Sequence, residues 1–237
     1  MSVRPIDSFK AISFDCFGTL IDWRAGQRRV LEQFPSLRSH SDFLDQLIDA
    51  RGSVERELQQ KEWQPYETIL EESIAQAVQE ICGETLTPTE QRAFAAGQVG
   101  WPAHADTRHS LQQLADCVPI CLLSNCDAQT LRLCAWKHFP ETSIRLFVSS
   151  EDVRAYKPSS QHWDTLLSEL KLEPHEVLHV SFSPEYDLIP ASQLGFQLAW
   201  IQRDGPPNLD GVHVAFKAKN LQDLCQILQA PELNSKA

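Results

Sequence analysis

From residue 107 onward, the chain alternates short apolar runs with segments whose apolar residues recur at helical spacing. Neighbouring parallel strands need long crossover connections, usually helices, so this alternation indicates a mostly parallel α/β sheet. With one earlier run included, the candidate strands are Ala11 to Phe14, Val118 to Leu123, Arg145 to Val148, Val177 to Val180 and Gln197 to Ile201. Two core-facing helix stripes are predicted at Trp163, Leu166, Leu167 and Leu170 and at Leu221, Leu224, Cys225 and Leu228.

The interval between the first two candidate strands has a different pattern, without a convincing strand. It carries two further helix stripes, Leu70, Ile74, Ala77, Val78 and Ile81 in one and Phe43, Leu44, Leu47 and Ile48 in the other. The helical pattern breaks at Gly100, Trp101 and Pro102. We therefore predict a helical domain over residues 18–102, inserted into a core formed by residues 1–17 and 103–237.

Composition and charge narrow the class of protein. The 237 residues are 42% hydrophobic and 22% charged, as in an ordinary globular chain, and no apolar run approaches the roughly 20 residues of a membrane span. The formal charge of -11 disfavours nucleic acid and anionic membranes as partners. We expect a small-molecule ligand, and an anionic one would need a local positive group. The sequence leaves the oligomeric state open, with a homodimer as one option.

The cysteines and the N-terminus point to a reducing compartment. Seven cysteines lie mostly inside apolar segments, with no C-x-x-C spacing, so we expect buried thiols instead of disulfides or a zinc site. The N-terminal stretch MSVRPIDSFK has no apolar signal segment. The expected location is the cytoplasm.

Polar residues follow the ends of the first four candidate strands. Ligands of open parallel sheets bind beyond the carboxyl ends of the strands, so these residues are predicted to share a site. They are Asp15 after the first strand, Ser124 and Asn125 after the second, Lys157 beyond the third, and Ser181, Ser183 and Asp187 after the fourth.

Each of these residues also has a structural explanation, which stays open at this point. Asp15 is a common turn residue, Ser124 and Asn125 are able to cap a helix beginning near Ala128, Lys157 fits an exposed loop, and Asp187 fits a helix cap. Residues 104–109, HADTRH, hold two histidines and an aspartate. Their place after the insert favours a helix cap at Asp106 or Thr107 over a metal site.

The same strand-end residues fall in four ordered motifs that resemble those of the haloacid dehalogenase superfamily. The motifs are FDCFGTLID with Asp15 in the nucleophile position, LLSN with Ser124, AYKPSSQHW with Lys157, and VSFSPEYDLIPASQLG with Asp187. The resemblance covers nearly the whole chain. It implies a Rossmann-like doubly wound parallel sheet core with a helical cap inserted after the first strand.

Phe17 separates two branches of that superfamily. Most members are magnesium-dependent phosphatases in which a second aspartate at this position protonates the leaving group, and phenylalanine cannot transfer a proton. The stretch from Asp15 to Leu20 is similar to the L-2-haloacid dehalogenase motif, Asp-x-(Tyr or Phe)-Gly-Thr-Leu. This resemblance implies that a carboxylate displaces halide, that water hydrolyses the resulting ester, and that no metal and no cofactor is required.

The resemblance also implies a role for each residue. Asp15 is the nucleophile, Lys157 keeps it ionised and oriented, and Asp187 helps to activate or position the water. Ser124 and nearby backbone N–H groups receive the substrate carboxylate, as at helix N-termini. Asn125 and an arginine of the insert, Arg51, cradle the halide. Further substrate-binding residues are Phe17, Gly18, Thr19, Trp23, Ser181 and Ser183.

Some of these assignments have a competing interpretation. Arg51 is equally well explained as a solvated helix arginine. Trp23, Trp63 and Tyr66 either form the apolar wall of the pocket or pack in the core.

The fourth motif departs from the dehalogenase pattern. In that branch a serine and an asparagine precede the aspartate, whereas here Ser181 and Ser183 are present, the asparagine is missing, and Phe182 and Pro184 intrude. Two alternatives therefore stay open. One is a phosphatase with magnesium held by Asp15, the Phe17 carbonyl and Asp187, and the other is a noncatalytic small-anion-binding protein.

Overall fold

The computed structural model describes residues 4–203, 209 and 211–230. Six strands in these residues form one parallel sheet in the order β3-β2-β1-β4-β5-β6. They are β1 Ala11–Asp15, β2 Ile120–Ser124, β3 Ile144–Ser149, β4 Val177–Ser181, β5 Gln197–Ile201 and β6 Phe216–Ala218. The strand order changes direction between β1 and β4, so the predicted doubly wound α/β core is confirmed and its ligand crevice lies at the carboxyl ends of those two strands.

The five predicted strands are all present. β2 begins two residues later than predicted, at Ile120, after Pro119, which has no N–H to donate to a neighbouring strand. β6 was not predicted, because its three residues are too few to show a strand pattern.

Alternating residues of the strands face two layers of helices. On β1, Ile12 and Phe14 belong to the larger apolar cluster and Ala11 to the smaller one. The helices are α1 Trp23–Leu31, α2 Leu44–Gln59, α3 Tyr66–Cys82, α4 Pro88–Ala96, α5 Thr107–Ala115, α6 Ala128–His138, α7 Ser150–Val153, α8 Gln161–Leu170, α9 Ile189–Gln193 and α10 Leu221–Gln229. None of the helices in the described part of the chain is long and apolar enough to cross a membrane.

The helices α1 to α4 lie between β1 and β2, in the interval where an insert was predicted. In the described residues of this interval, β pairing is limited to isolated bridges of Ile21 with Phe17 and with Ala103. These bridges bring the start and the end of this helical segment together beside β1. A division of the chain at residues 18 and 102 remains a prediction.

The predicted helix stripes mostly face the core. In α3, Leu70, Ile74, Ala77 and Val78 are fully buried. The assignment of Phe43 to the stripe of α2 is wrong, since Phe43 ends the preceding 3-10 segment, Pro35–Phe43, and is 42% exposed.

Candidate active site

Lys157 joins two carboxylates at the carboxyl edge of the sheet. Its Nζ donates to Asp15 Oδ1 at 3.0 Å and to Asp187 Oδ1 at 2.7 Å. A third bond, of 2.9 Å, goes to the carbonyl oxygen of Leu123 in β2. Lys157, Asp15 and Asp187 are all buried. An ammonium has three hydrogens, so all of them are used and the group is fixed between the two acids.

Four segments of the chain place this triad. Asp15 is the last residue of β1, and Asp187 lies in a π-helical turn, Pro184–Leu188, after the neighbouring β4. Lys157 follows β3 and is held by Asn125, whose Oδ1 accepts from the Lys157 N–H at 2.7 Å and whose Nδ2 donates to the Lys157 carbonyl at 3.1 Å. The structure thus brings the strand-end residues together, with Asn125 as the support of the lysine.

The two carboxylates differ in their readiness to take a proton. Burial raises the pKa of Asp15 to about 6, with Lys157 opposing and the Asp187 charge adding to the rise. Burial also opposes ionisation of Asp187, but Lys157 and His179 together hold its pKa at about 2. The pKa of Lys157 is raised, because the attraction of both acids outweighs its burial. On acidification, Asp15 therefore takes a proton before Asp187.

Thr19 fixes the second oxygen of Asp15. Its Oγ1 donates to Asp15 Oδ2 at 2.8 Å and accepts the Phe182 N–H at 3.1 Å. Both oxygens of Asp15 are therefore hydrogen-bonded, one to Lys157 and one to Thr19, which sets the plane of the carboxylate.

The turn that carries Thr19 is held by three successive carbonyl groups. The Gly18 carbonyl accepts from His104 Nε2 at 3.1 Å and the Leu20 carbonyl from Thr107 Oγ1 at 2.8 Å. Between them, the Thr19 carbonyl accepts from the Arg203 guanidinium at 2.9 and 3.1 Å. Two of these donors come from the HADTRH segment, which therefore supports the turn after Asp15.

The predicted helix cap is confirmed in position, at Asp106, but not as a side-chain hydrogen bond. Asp106 stands at the N-cap position of α5 but makes no cap bond there. Its carboxylate instead accepts hydrogen bonds from both terminal nitrogens of Arg203, at 2.8 and 2.9 Å, and from the N–H of Leu221, at 2.6 Å. Asp106 thus orients Arg203 toward the Thr19 carbonyl and serves the start of α10.

The capping explanation of Ser124 and Asn125 is also wrong. Asp127 takes the N-cap position of α6, and the first N–H of that helix, from Ala128, is donated to Glu151 at 2.9 Å. The Ala128 N–H is therefore already used. The N-terminus of α6, which was expected to receive an anion, has one backbone donor fewer for it. Ser124 lines the cavity described next.

A cavity of about 720 Å³, open to solvent, extends from the triad toward α1, α2 and α3. Its floor carries the polar groups of Asp15, Ser124, Asn125, Lys157, Ser183 and Asp187. Its walls are largely aromatic, formed by Phe17, Trp23, Tyr66, Trp101, Phe182 and Tyr186. Trp63, the third aromatic residue considered for the wall, is not among the lining residues, and Arg154 stacks over its ring at 4.2 Å.

Arg51 reaches the cavity from α2. It is 3% exposed, so its interpretation as a solvated helix arginine is wrong. One terminal nitrogen pairs with Glu55 at 2.5 Å, and Glu55 also accepts the hydroxyl of Tyr66 at 2.7 Å. Arg51 Nε and Nη1 are buried without a partner among the described residues. Buried guanidinium donors need acceptors, so Arg51 is placed to bind an anion in the cavity.

The fourth motif packs closely against the turn after Asp15. Gly18 has φ +104, and a Cβ built there would lie 2.1 Å from the Phe182 ring. Only glycine fits this position, because both its backbone conformation and the approach of Phe182 exclude a side chain. The Ser181 Oγ accepts the Ser183 N–H at 3.0 Å, and the Ser183 Oγ accepts the Tyr186 N–H at 3.2 Å.

Three residues predicted to bind substrate do not line the cavity. Gly18 lies under Phe182, Thr19 is turned toward Asp15, and Ser181 is fully buried. The other predicted residues, Phe17, Trp23, Arg51 and Ser183 among them, do line it.

The sequence prediction missed Gln27, Trp101, Glu55 and Tyr186, which also line the cavity. Glu55 had a signal, its spacing of four residues from Arg51 on a predicted helix, which is the spacing of an ion pair.

Replacing Lys157 with methionine is expected to lower the free energy of unfolding by about 3–5 kcal/mol near pH 8, because it leaves two buried carboxylates without their cation. In the variant, at least one carboxyl has a folded-state pKa above its unfolded value. Stability is then gained as the pH falls through that raised pKa, so the loss should be smaller near pH 5.5. Urea unfolding of both proteins at both pH values measures this.

The double variant Lys157→Met, Asp187→Asn is the matched control, since it removes one of the two charges. It should be more stable than Lys157→Met near pH 8. Equal losses at the two pH values, or no recovery in the double variant, would show that charge repulsion is not the cause.

Comparisons with known proteins show the family and the fold of the chain. The model of the family "haloacid dehalogenase-like hydrolase" matches residues 9–195. The (S)-2-haloacid dehalogenase 4A of Burkholderia cepacia is 24% identical over 226 residues, which are 94% of this chain and 96% of that protein. Two solved structures of lower identity show the shared fold.

The first is an L-2-haloacid dehalogenase from Xanthobacter autotrophicus with chloropropionic acid covalently bound, 18% identical, with TM-score 0.79 and coverage of 92% of this chain and 98% of that one. The second is the HAD-hydrolase YfnB of Bacillus subtilis bound to magnesium, 14% identical, with TM-score 0.79 and coverage of 94% and 99%. Since the family model spans well over half of the sequence, the chain belongs to the haloacid dehalogenase-like hydrolases.

Proposed function

We propose that this hydrolase removes halide from small 2-halogenated acids through an ester formed on Asp15, without a metal. The observation that carries the proposal is the pairing, across one cavity, of a fixed carboxylate with the partly unpaired guanidinium of Arg51. The (S)-2-haloacid dehalogenase and the chloropropionic acid complex among the similar proteins support the same chemistry.

In the first half of the proposed cycle, an oxygen of Asp15 attacks the carbon that bears the halogen. A carbon–oxygen bond forms, the carbon–halogen bond breaks, and the electron pair leaves with the halide. Halide needs no proton, which suits the presence of Phe17 in place of a second acid. Lys157 and Thr19 hold the attacking carboxylate in position, while Ser124 at the cavity floor receives the substrate carboxylate.

Arg51 is the proposed ligand of the leaving halide. Charge develops on the halogen as its bond breaks, and buried N–H donors that are already in place stabilise that charge most effectively. Asn125 donates one hydrogen of Nδ2 to the Lys157 carbonyl, which leaves its second N–H for the same purpose.

In the second half, water attacks the carbonyl carbon of the ester. One proton of the water goes to a base as the new carbon–oxygen bond forms. The bond between the Asp15 carbonyl carbon and the ester oxygen then breaks, and the leaving alkoxide takes that proton to become the 2-hydroxy acid. The Asp15 carboxyl releases the second water proton and is ionised again. Asp187 is the proposed base. In the described residues, the hydrogen bonds to its carboxylate fall on Oδ1, so Oδ2 is left to face water from the cavity that Asp187 lines.

The contacts at this edge favour the metal-free cycle over the phosphatase alternative. Magnesium bound through two carboxylates needs a free oxygen on each of them, with water completing its octahedral shell. Lys157 already bridges Asp15 and Asp187, and the Phe182 ring lies over Gly18. We therefore assign no step to a metal.

The proposal is tested by chloride release from L-2-chloropropionate in the presence of EDTA, with Asp15→Asn beside the wild type. The wild type should release one chloride for each 2-hydroxy acid formed. The variant should lose at least about 10³-fold in rate, because the neutral amide is a far weaker nucleophile than the carboxylate. Mass spectrometry of the quenched wild type should find the substrate's acid portion attached to Asp15.

Two results would overturn this assignment. Magnesium-dependent hydrolysis of a phosphate ester without chloride release would establish the phosphatase alternative. Binding of chloropropionate without turnover or adduct would establish the noncatalytic one.

The rate of the first chloride released per site should fall as the pH drops below about 6. Asp15 attacks only when ionised, and its pKa is raised to about 6, so acidification removes the nucleophile. Rapid-quench measurement of the first turnover between about pH 4 and 8 gives the profile. Thr19→Val removes a hydrogen bond that lowers this pKa, so its rate should begin to fall at a higher pH than that of the wild type. A fall in rate centred near pH 4 in both proteins would show that Asp15 keeps an ordinary pKa.

The double variant Arg51→Met, Glu55→Gln is expected to slow the first chloride release by on the order of 10²-fold, since the halide loses its buried donors. The second substitution avoids a buried unpaired glutamate. Arg28→Met is the control, because Arg28 is an exposed cation of α1 that pairs with Asp45 and lies outside the cavity lining. Equal rates in the double variant and the control would remove Arg51 from the proposed site.

A further inference from the structure

His179, at the centre of β4, is a fully buried histidine that the proposed cycle has not used. Its Nε2 lies 3.0 Å from Asp187 Oδ1, and its Nδ1 lies 2.9 Å from the hydroxyl of Ser13 on β1. Ser13 and His179 are partners in the register of the two strands. A hydrogen-bonded chain therefore runs through the sheet to the carboxylate that faces the cavity.

We infer that His179 is a positioning residue that holds Asp187 for the hydrolysis of the Asp15 ester. The inference rests on the proposed function, because it assigns Asp187 to the second half of that cycle. His179 does not reach the cavity itself, since it is absent from the residues that line it.

The neighbours of His179 fix the direction of each hydrogen bond. An ionised carboxylate only accepts, so Nε2 must carry the hydrogen that is donated to Asp187. The imidazole is neutral, because burial lowers its pKa and the Lys157 charge adds to this, against the opposing effect of Asp187. Nδ1 is then an acceptor, and the Ser13 hydroxyl donates to it. Asp187 thus sets the tautomer, and the Ser13 hydroxyl supports it by donating to Nδ1.

The rings around His179 restrict its orientation. The Trp163 ring stands edge-on at 5.5 Å between centroids, and the Phe196 ring at 6.4 Å. The imidazole is therefore held by packing as well as by its hydrogen bonds to Asp187 and Ser13.

His179 matters most after the ester has formed. Lys157 serves Asp15, Asp187 and the Leu123 carbonyl at once, whereas His179 bonds to Asp187 alone among the acids. Once Asp15 is a neutral ester, Lys157 no longer bridges two anions. His179 then keeps Oδ1 of Asp187 in place, so that Oδ2 stays directed at the water that attacks the ester.

The test separates the two halves of the cycle with chloropropionate as substrate. In His179→Met, the rate of the initial burst of one chloride per site should stay within about threefold of the wild-type rate. The hydrolysis that follows should slow by about tenfold or more, as is typical when an orienting partner is lost. The ester should then accumulate and be visible in the mass of the intact protein. His179→Gln, which retains an N–H donor near the position of Nε2, should restore most of the hydrolysis rate.

Ser13→Ala is a milder variant that keeps the imidazole but removes the hydrogen bond that holds its Nδ1, and it should slow hydrolysis alone. In His179→Met, the rate of hydrolysis should also begin to fall at a higher pH, because Asp187 loses a donor that lowers its pKa. The other groups beside Asp187 in this step, Lys157 and the neutral Asp15 ester, are the same in both proteins.

Equal slowing of the burst and of hydrolysis in both His179→Met and Ser13→Ala would overturn the inference and leave the proposed function intact. A wild type that shows no chloride burst would overturn the proposed function, and the inference with it.

Discussion

The site depends on the ammonium of Lys157, because two carboxylates buried on neighbouring strand ends repel each other unless a cation lies between them. Asp15 and Asp187 follow β1 and β4, the strands between which the sheet order changes direction. Lys157 comes from beyond β3, on the far side of β2, and Asn125 after β2 holds its backbone. The charge balance of the site therefore requires the whole central part of the sheet to be assembled.

A second group of contacts fixes the turn after β1. The carbonyls of residues 18–20 are held by His104, Arg203 and Thr107, and Arg203 is in turn oriented by Asp106. The turn thereby presents the Thr19 hydroxyl to Asp15. The turn beside Asp15 is thus held by residues that lie from 86 to 184 positions away from it in the chain. Contacts from distant parts of the chain thereby help to fix the plane of the Asp15 carboxylate.

The sequence was sufficient for the sheet, the order of its first five strands along the chain and the residues at their ends, because strand periodicity and strand-end polarity are local signals. It was not sufficient for partners that meet only in the fold. The bond of Arg203 to the Thr19 carbonyl has no sequence signal, and Asp106 looked like a helix cap because its local setting is that of one. The burial of Arg51 likewise depends on how α2 packs over the cavity, which one sequence does not show.

The departures in the fourth motif belong together once the structure is known. Phe182 covers Gly18. Pro184 begins a turn whose hydrogen bonds join residues five positions apart, from the Leu188 N–H to the Ser183 carbonyl and from the Ile189 N–H to the Pro184 carbonyl. A π-helical turn is one residue wider than an α-helical turn, so it accommodates an additional residue before Asp187. The wider turn still brings Asp187 to Lys157.

What this turn does not supply is a side-chain contact to Asp187 from the residues just before it, since Ser181 bonds to Ser183 and Ser183 bonds to Tyr186. That contact comes instead from His179, on the rigid strand beneath. Strand residues hold a side chain more firmly than residues of an irregular turn, because their backbone is bonded on both sides. The position of Asp187 is therefore set mainly by β4 and Lys157, and the unusual sequence between Ser181 and Asp187 is free to shape the aromatic wall of the cavity.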